Sequence, residues 1–325
     1  MSRPRVGLVG ARQRRQGLGP FVARDLVRAG ACVPCFVTTG AATRDAAIGQ
    51  LAATCGIEAR GYLDVDEMLA RERLDALAIL SPAETHAAYL EAAVAAGLHV
   101  LCEKPLVWGR PDLAATAARL VDVFDRAGLL LWENCQWPYT LPAYEHLFPG
   151  ALRRPPERFF MLMQPTSAGV QAFADSLPHT LSLLQALVPG EDPTLVDPRF
   201  AVADPERGEQ TVAFRYRTDR WSARVDVRLK PASAFPREAA FALDGRLARR
   251  RVESESYRLS FASDDDRSVP LDDPMTLLIA DFVGELRGAQ GPSKSRGIAE
   301  RMALLGQLVD ARGRLGREEA GEAGR

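Results

Sequence analysis

Lysine and histidine are scarce in this sequence. Only three of its 41 basic residues are lysines, Lys104, Lys230 and Lys294, and the 325-residue chain holds four histidines. Arginine keeps its proton throughout the ordinary pH range, so a lysine inside a motif gains weight as a group that can titrate. Cysteine is also sparse. The five cysteines all fall within the first 135 residues, and an odd, scattered set excludes a disulfide framework. Cys32 and Cys35 of "CVPC" lie in an expected strand, where positions three apart face opposite sides, so they are not read as a redox pair. Long apolar runs are missing too, with nothing near the about 18 residues of a membrane span, and the opening "MSRPRVGLVG" lacks a signal-peptide apolar region. A cytoplasmic protein without membrane association is expected. The formal charge of -1 provides no net field to draw nucleic acid. His86, His99 and His146 follow no metal-site spacing and the cysteines lack paired thiolates, so no metal is expected.

What is present is an ordinary globular composition, 47% hydrophobic, in a chain long enough for about two domains. Up to residue 135 short apolar runs alternate with helical patterns: strands at 5–10, 32–39, 75–82, 99–105 and 129–135, helices at 20–30, 42–54, 83–97 and 110–128. Asp64 to Glu67 has capping-box spacing before a further helix. Pro34 removes a ladder donor and suits the first residue of its strand. Strands separated by helices of ten or more residues imply parallel pairing, hence a doubly wound Rossmann-type α/β sheet over 1–133. From 134 to 312 the pattern changes to strands in succession, at 158–165, 211–218, 222–230, 238–245 and 251–262, with helices at 176–187, 274–287 and 294–312. That reads as an α+β domain with a largely antiparallel, open-faced sheet, followed by a disordered tail over 313–325.

The first strand runs into "GARQRRQGLG", residues 10–19. A dinucleotide turn needs a strand, a glycine turn and a helix whose N-terminal N–H groups face pyrophosphate. Strand and helix are in place, but Gly10 and Gly19 stand nine apart, with Gly17 between, and Arg12 occupies the place of the second glycine. The stretch is either an enlarged pyrophosphate turn or an arginine-rich surface turn. After the second strand come Thr38, Thr39 and Gly40, then Arg44, with no carboxylate to hold the ribose hydroxyls of NAD. Hydroxyl and guanidinium groups there suit a 2′-phosphate, so NADP is expected in preference to NAD.

The segment "SPAETHAAYLEAAVAAGLHVLCEKPL", residues 81–106, resembles the strand, helix and Glu-Lys-Pro segment of the Gfo/Idh/MocA family, relatives of glucose-fructose oxidoreductase and inositol dehydrogenase. The resemblance implies a Rossmann domain followed by a sheet domain used for homo-oligomer contact, as a dimer or tetramer. It implies that Lys104 reaches the substrate oxygen and nicotinamide ribose, that Glu103 and a cis Pro105 shape the turn, and that Ser81, Pro82 and His86 line the cofactor. It also places an Asp-x-x-x-His pair on a helix, which "DSLPH" supplies as Asp175 and His179. Residues four apart share a helix face, and with Asp175 as the cap, Pro178 falls at the third helical position, where its missing N–H is not needed. Leu177, Ser182, Gln136 and Trp137 depart from the family's usual residues, which leaves substrate identity open.

These residues suggest hydride transfer between nicotinamide and a secondary alcohol or ketone of a sugar, cyclitol or related molecule. His179 is expected as general acid/base, Lys104 as oxygen-binding proton partner, and Asp175 as substrate binder or orienter of His179. Gln136 and Trp137 are candidate substrate contacts; Trp137 and Tyr139 could stack on a sugar ring or pack at the junction. "RLARRR", residues 246–251, could bind an anion, although a solvated strand connection is the simpler reading. The alternatives are an NADP-binding sensor or partner subunit without catalysis, imine reduction, or glycoside cleavage through transient oxidation.

Overall fold

The computed structural model describes residues 2–11, 18–253, 255–289 and 294–323, with the backbone alone over 316–323. Two compact units emerge, one comprising Met1–Asn134 with Met275–Ala299, the other Cys135–Pro274 with Glu300–Arg325.

In the first unit, strands β1 (Val6–Val9), β2 (Cys35–Val37), β3 (Arg60–Tyr62), β4 (Ala76–Ile79), β5 (His99–Cys102) and β6 (Leu131–Glu133) alternate with helices α1 (Gly19–Arg28), α2 (Ala41–Cys55), α3 (Val65–Arg71), α4 (His86–Ala95) and α5 (Leu113–Arg126). The sheet order is β3-β2-β1-β4-β5-β6, with every pairing parallel. Strands covered on both faces read as continuous apolar runs, and β1 and β4 are buried at all four positions. Asp64 caps α3 as its spacing predicts, accepting from the Glu67 N–H at 2.8 Å. The strand expected over 32–39 shortens to β2, immediately after Pro34, whose carbonyl still accepts from Arg60 N at 2.9 Å. Burial, the dominant cause, pushes the Cys35 thiol up to about 12, so it does not serve as a thiolate at neutral pH.

The second unit carries α6 (Leu141–Leu147), β7 (Arg158–Met163), α7 (Gln171–Leu187), β8 (Thr194–Asp204), β9 (Glu209–Arg217), β10 (Ser222–Leu229), β11 (Ala239–Leu243), β12 (Arg246–Val252), β13 (Leu259–Ala262) and β14 (Ser268–Leu271). They form a sheet ordered β14-β13-β12-β11-β7-β10-β9-β8, antiparallel except for the parallel pair β7 and β10. Along β10, Ala223, Val225, Val227 and Leu229 are buried while Arg224, Asp226 and Arg228 are exposed. One face is therefore covered and the other open. Met161, in β7, is fully buried and accepts a contact from Thr180 Oγ1 of α7 at 3.2 Å, which places α7 on the covered face.

Several elements depart from the sequence reading. The short β3 and β14, the half-exposed β8 and α6 had no strong periodic signal. The single strand expected over 251–262 is instead the end of β12 and, after a turn, β13. The boundary at 134–312 is interrupted, because α8 (Pro274–Leu286) belongs with the first unit as far as Met275 onward. There Phe282 meets Trp132 edge-on at 6.0 Å, and Thr276 Oγ1 donates to buried Asp25 at 2.9 Å. The stretch expected to be disordered from 313 is helical, as α9 (Ser295–Ala323). Among the described residues, no helix is long and apolar enough to cross a membrane.

Candidate functional site

A parallel sheet brings the carboxyl ends of its strands to one edge, and Gly10, Thr38, Ser81 and Lys104 all follow strands at that edge. Gly10 has φ +87°, donates its N–H to Val37 O at 3.0 Å, and would place a Cβ 3.1 Å from the Leu80 backbone. At the far end of the turn, a Cβ on Gly19 would stand 2.3 Å from the carbonyl carbon of Ala11. Backbone therefore packs on backbone where the loop closes, and only glycine fits. Arg12 and Gly17 lie outside the described residues. Helix α1 begins at Gly19 with Pro20 in its first turn, carries no acidic residue there, and among the described residues takes no side-chain hydrogen bond at its Leu18 cap. Its positive end is thus left for an anion, which fits a dinucleotide pyrophosphate.

Beyond β2, Thr38 Oγ1 is buried without a hydrogen-bond partner among the described residues, whereas Thr39 is exposed. Arg44 lays its methylenes over Gly61 of β3, where a Cβ would meet Arg44 Cγ at 2.4 Å, and its Nε donates to Asp45 Oδ1 at 2.9 Å. Sequence reading missed Gly61; the signal was a glycine in a short strand beside an arginine stem. Thr39, Gly40 and Arg44 remain the candidates to hold an adenosine ribose and a 2′-phosphate.

The Lys104–Pro105 bond is cis, as the resemblance implies. Around it the first unit builds a braced turn. His86 is 1% exposed, with Nδ1 2.9 Å from Pro105 O and Nε2 2.9 Å from Ser81 O. Both ring nitrogens are taken by carbonyls, so His86 ties two loops together instead of presenting a nitrogen to a ligand. Glu103 accepts from Asn134 Nδ2, and burial raises its pKa, opposed by the neighbouring Lys104 charge, the Asn134 hydrogen bond and His86. Glu133 Oε1 accepts the Leu106 N–H at 2.8 Å from the end of β6. Neither Glu133 nor Asn134 was singled out from sequence, although an acid ending an apolar strand was the available signal. Replacing His86 with alanine removes both ring contacts, the one to Pro105 O and the one to Ser81 O, and opens a void. We expect a loss of about 2–4 kcal/mol, read from the urea midpoint. A midpoint equivalent to wild type would mean that His86 is not a brace.

In the second unit α7 carries both Asp175 and His179, but it begins at Gln171, with Val170 as its cap. Asp175 is therefore not the cap, and Pro178 lies inside the helix, correcting the reading that placed it near the start. Pro178 withholds an N–H from the helix ladder; buried packing on both sides sustains the helix through it. Released from capping, Asp175 accepts from Ser167 Oγ. His179 is 8% exposed, and its carbonyl accepts from Ser182 Oγ at 2.9 Å. Cys135 Sγ points at Pro178 O at 3.6 Å, which sets the segment containing Gln136 and Trp137 against α7. Gln136 Oε1 is buried and has no partner among the described residues. Trp137 is buried, edge-on to Phe241 at 6.0 Å, with Arg250 over its ring at 5.7 Å, so it packs in the core of this unit. Arg250 also corrects the reading of 246–251 as a solvated connection, since the stretch is β12 and pairs with β11 and β13.

Residues 5–135 match the sequence model of the Gfo/Idh/MocA group, described as an oxidoreductase family with an NAD-binding Rossmann fold. A dTDP-3,4-didehydro-2,6-dideoxy-alpha-D-glucose 3-reductase of Streptomyces violaceoruber is 38% identical over 36% of this chain and 33% of its own. The chain thus matches about a third of that curated relative's length. Among solved structures, a UDP-N-acetylglucosamine 3-dehydrogenase from Acidithiobacillus ferrooxidans superposes with a TM-score of 0.70 at 21% identity, over 96% of this chain and 98% of that one. A 3-ketoreductase from Actinomadura kijaniata in complex with NADP gives a TM-score of 0.66 at 19% identity, over 94% and 96%. At such identities these structures speak for the fold. Residues 5–135 thus resemble the Rossmann domain of the Gfo/Idh/MocA oxidoreductases, and the two-sheet fold is shared along nearly the whole length.

Proposed function

We propose that this protein is an NADP-preferring oxidoreductase that interconverts a secondary alcohol and its ketone in a carbohydrate-like small molecule. The observation that carries the reading is the braced Lys104 turn at the carboxyl end of β5, at the sheet edge that also holds the Gly10 turn and Thr38. Ligands of open α/β sheets bind at that edge, near the point where strand order reverses. Two relatives named above, a 3-reductase and a 3-dehydrogenase, act on nucleotide-linked sugars by their names, which supports a carbohydrate-like substrate.

When bound, the nicotinamide supplies the hydride acceptor or donor. The protein must position the carbon and move the hydroxyl proton. His179 is the general acid/base, Lys104 holds the substrate oxygen by donating to it, and Asp175 binds substrate or orients His179. Ser81 and Pro82 line the nicotinamide side and Gln136 contacts substrate. The reading extends to a cytoplasmic homo-oligomer, a dimer or tetramer joined through the second sheet's open face. Five free cysteines support a reducing compartment, and sedimentation tests the assembly.

Titration calorimetry with NADP and NAD, followed by a screen of alcohols and ketones, tests the proposal directly. NADP should bind more tightly than NAD. Arg44→Ala should weaken NADP by about 10–100-fold with NAD unchanged, and Thr39→Asp should shift preference toward NAD. An unaltered NADP to NAD ratio in both variants rejects the phosphate assignment.

A further inference from the structure

Arg250 is a strand residue whose side chain turns to the covered face of the second sheet. It stands opposite Ala239 of β11 and Phe261 of β13, and its guanidinium lies over Trp137 at 5.7 Å. One nitrogen, Nη2, donates to Arg237 O at 3.3 Å; Nε is buried with no partner among the described residues. Arg237, half-buried beside the start of β11, donates from Nη1 to Gln164 O at 3.5 Å, a long contact. Neither guanidinium forms an ion pair among the described residues. Two cations have thus been gathered on one side of a sheet, the deeper one incompletely satisfied.

Burial first, and then the charge of Arg237, lowers the pKa of Arg250, while Asp273 opposes the shift. For Arg237 burial is likewise the main cause, opposed by Asp175. Those two carboxylates temper the site without closing it. Asp175 also places the pair with respect to the candidate chemistry, because it lies on α7 one turn before His179. An unpaired guanidinium is expensive to bury, and its planar fork is suited to two oxygens of a carboxylate or phosphate.

We propose that Arg237 and Arg250 form an anion subsite on the covered face of the second sheet, and that the substrate is a carbohydrate bearing a carboxylate or phosphate. The identity of the substrate rests on the oxidoreductase reading; the subsite itself does not.

The test is calorimetric titration of the NADP-saturated full chain with inorganic phosphate and with malonate, ionic strength being held constant with chloride. Saturating NADP keeps phosphate from the cofactor's own site. At least one anion should bind, and the tighter one identifies the substrate group as phosphate or carboxylate. Arg250→Met, which keeps an apolar stem on Trp137, should weaken binding about thirtyfold or more, and Arg237→Met about tenfold. Absence of binding by both anions, or affinity unchanged in both variants, overturns the subsite. If Arg250→Met fails to fold, the half-buried Arg237→Met decides alone. Anion binding without turnover of any alcohol or ketone would reject the oxidoreductase and keep the subsite. Turnover of neutral sugars with no anion binding would do the reverse.

Discussion

Replacing Lys104 with alanine lowers turnover by about 10²–10⁴-fold, and replacing His179 with alanine does the same, while NADP binding persists in both. This is the result expected if one group holds the reacting oxygen and the other carries its proton. Lys104→Arg should also be poor, because it retains charge without easy proton exchange. The double variant should lose little beyond the worse single variant, since residues serving one proton transfer do not contribute additively. Activity within threefold of wild type in both single variants would remove these residues from the chemistry. Full additivity would separate their roles.

The second large effect belongs to the glycine turn. In Gly19→Ala the new methyl meets the Ala11 carbonyl carbon at 2.3 Å, whereas ordinary contact begins at 3.4 Å. No flexible side chain can yield, so backbone must move by about 1 Å, a displacement that can lose about 100-fold in a positioned site. NADP affinity should fall on that scale in a calorimetric titration. Gly49→Ala is the control: it sits in α2 with open space around its would-be Cβ. That change should leave NADP binding alone and stabilise the helix by about 0.5–1 kcal/mol. Wild-type affinity in Gly19→Ala would show that the loop closure has no part in holding the cofactor.

Much of the candidate site was legible because its signals are local. The glycine turn, the Glu-Lys-Pro segment and the Asp-His spacing are each set within a few residues of chain. What escaped was identity of partners. His86 could be placed near the cofactor edge, but its use as a brace depends on carbonyls of Ser81 and Pro105 that only the folded loops bring to its two nitrogens. Glu133 carried no reading of its own in the sequence, and only the fold brings the Leu106 N–H to it. Asp175 looked like a helix cap because that start puts Pro178 in the first turn, where its missing N–H is not needed, and packing of the buried α7 overrode that local preference.

The sequence by itself determined the two kinds of sheet. Unbroken apolar strands spaced by helices require parallel pairing with both faces covered, and alternating strands in succession require one open face; both follow from periodicity alone. Only tertiary structure decided that Met275–Ala299 belongs with the first unit, that "RLARRR" is a paired strand, and that Arg250 turns inward from it. A periodic pattern reports which side of an element leaves water. It does not report what that side meets, because the partner is chosen by the packing of residues distant in sequence.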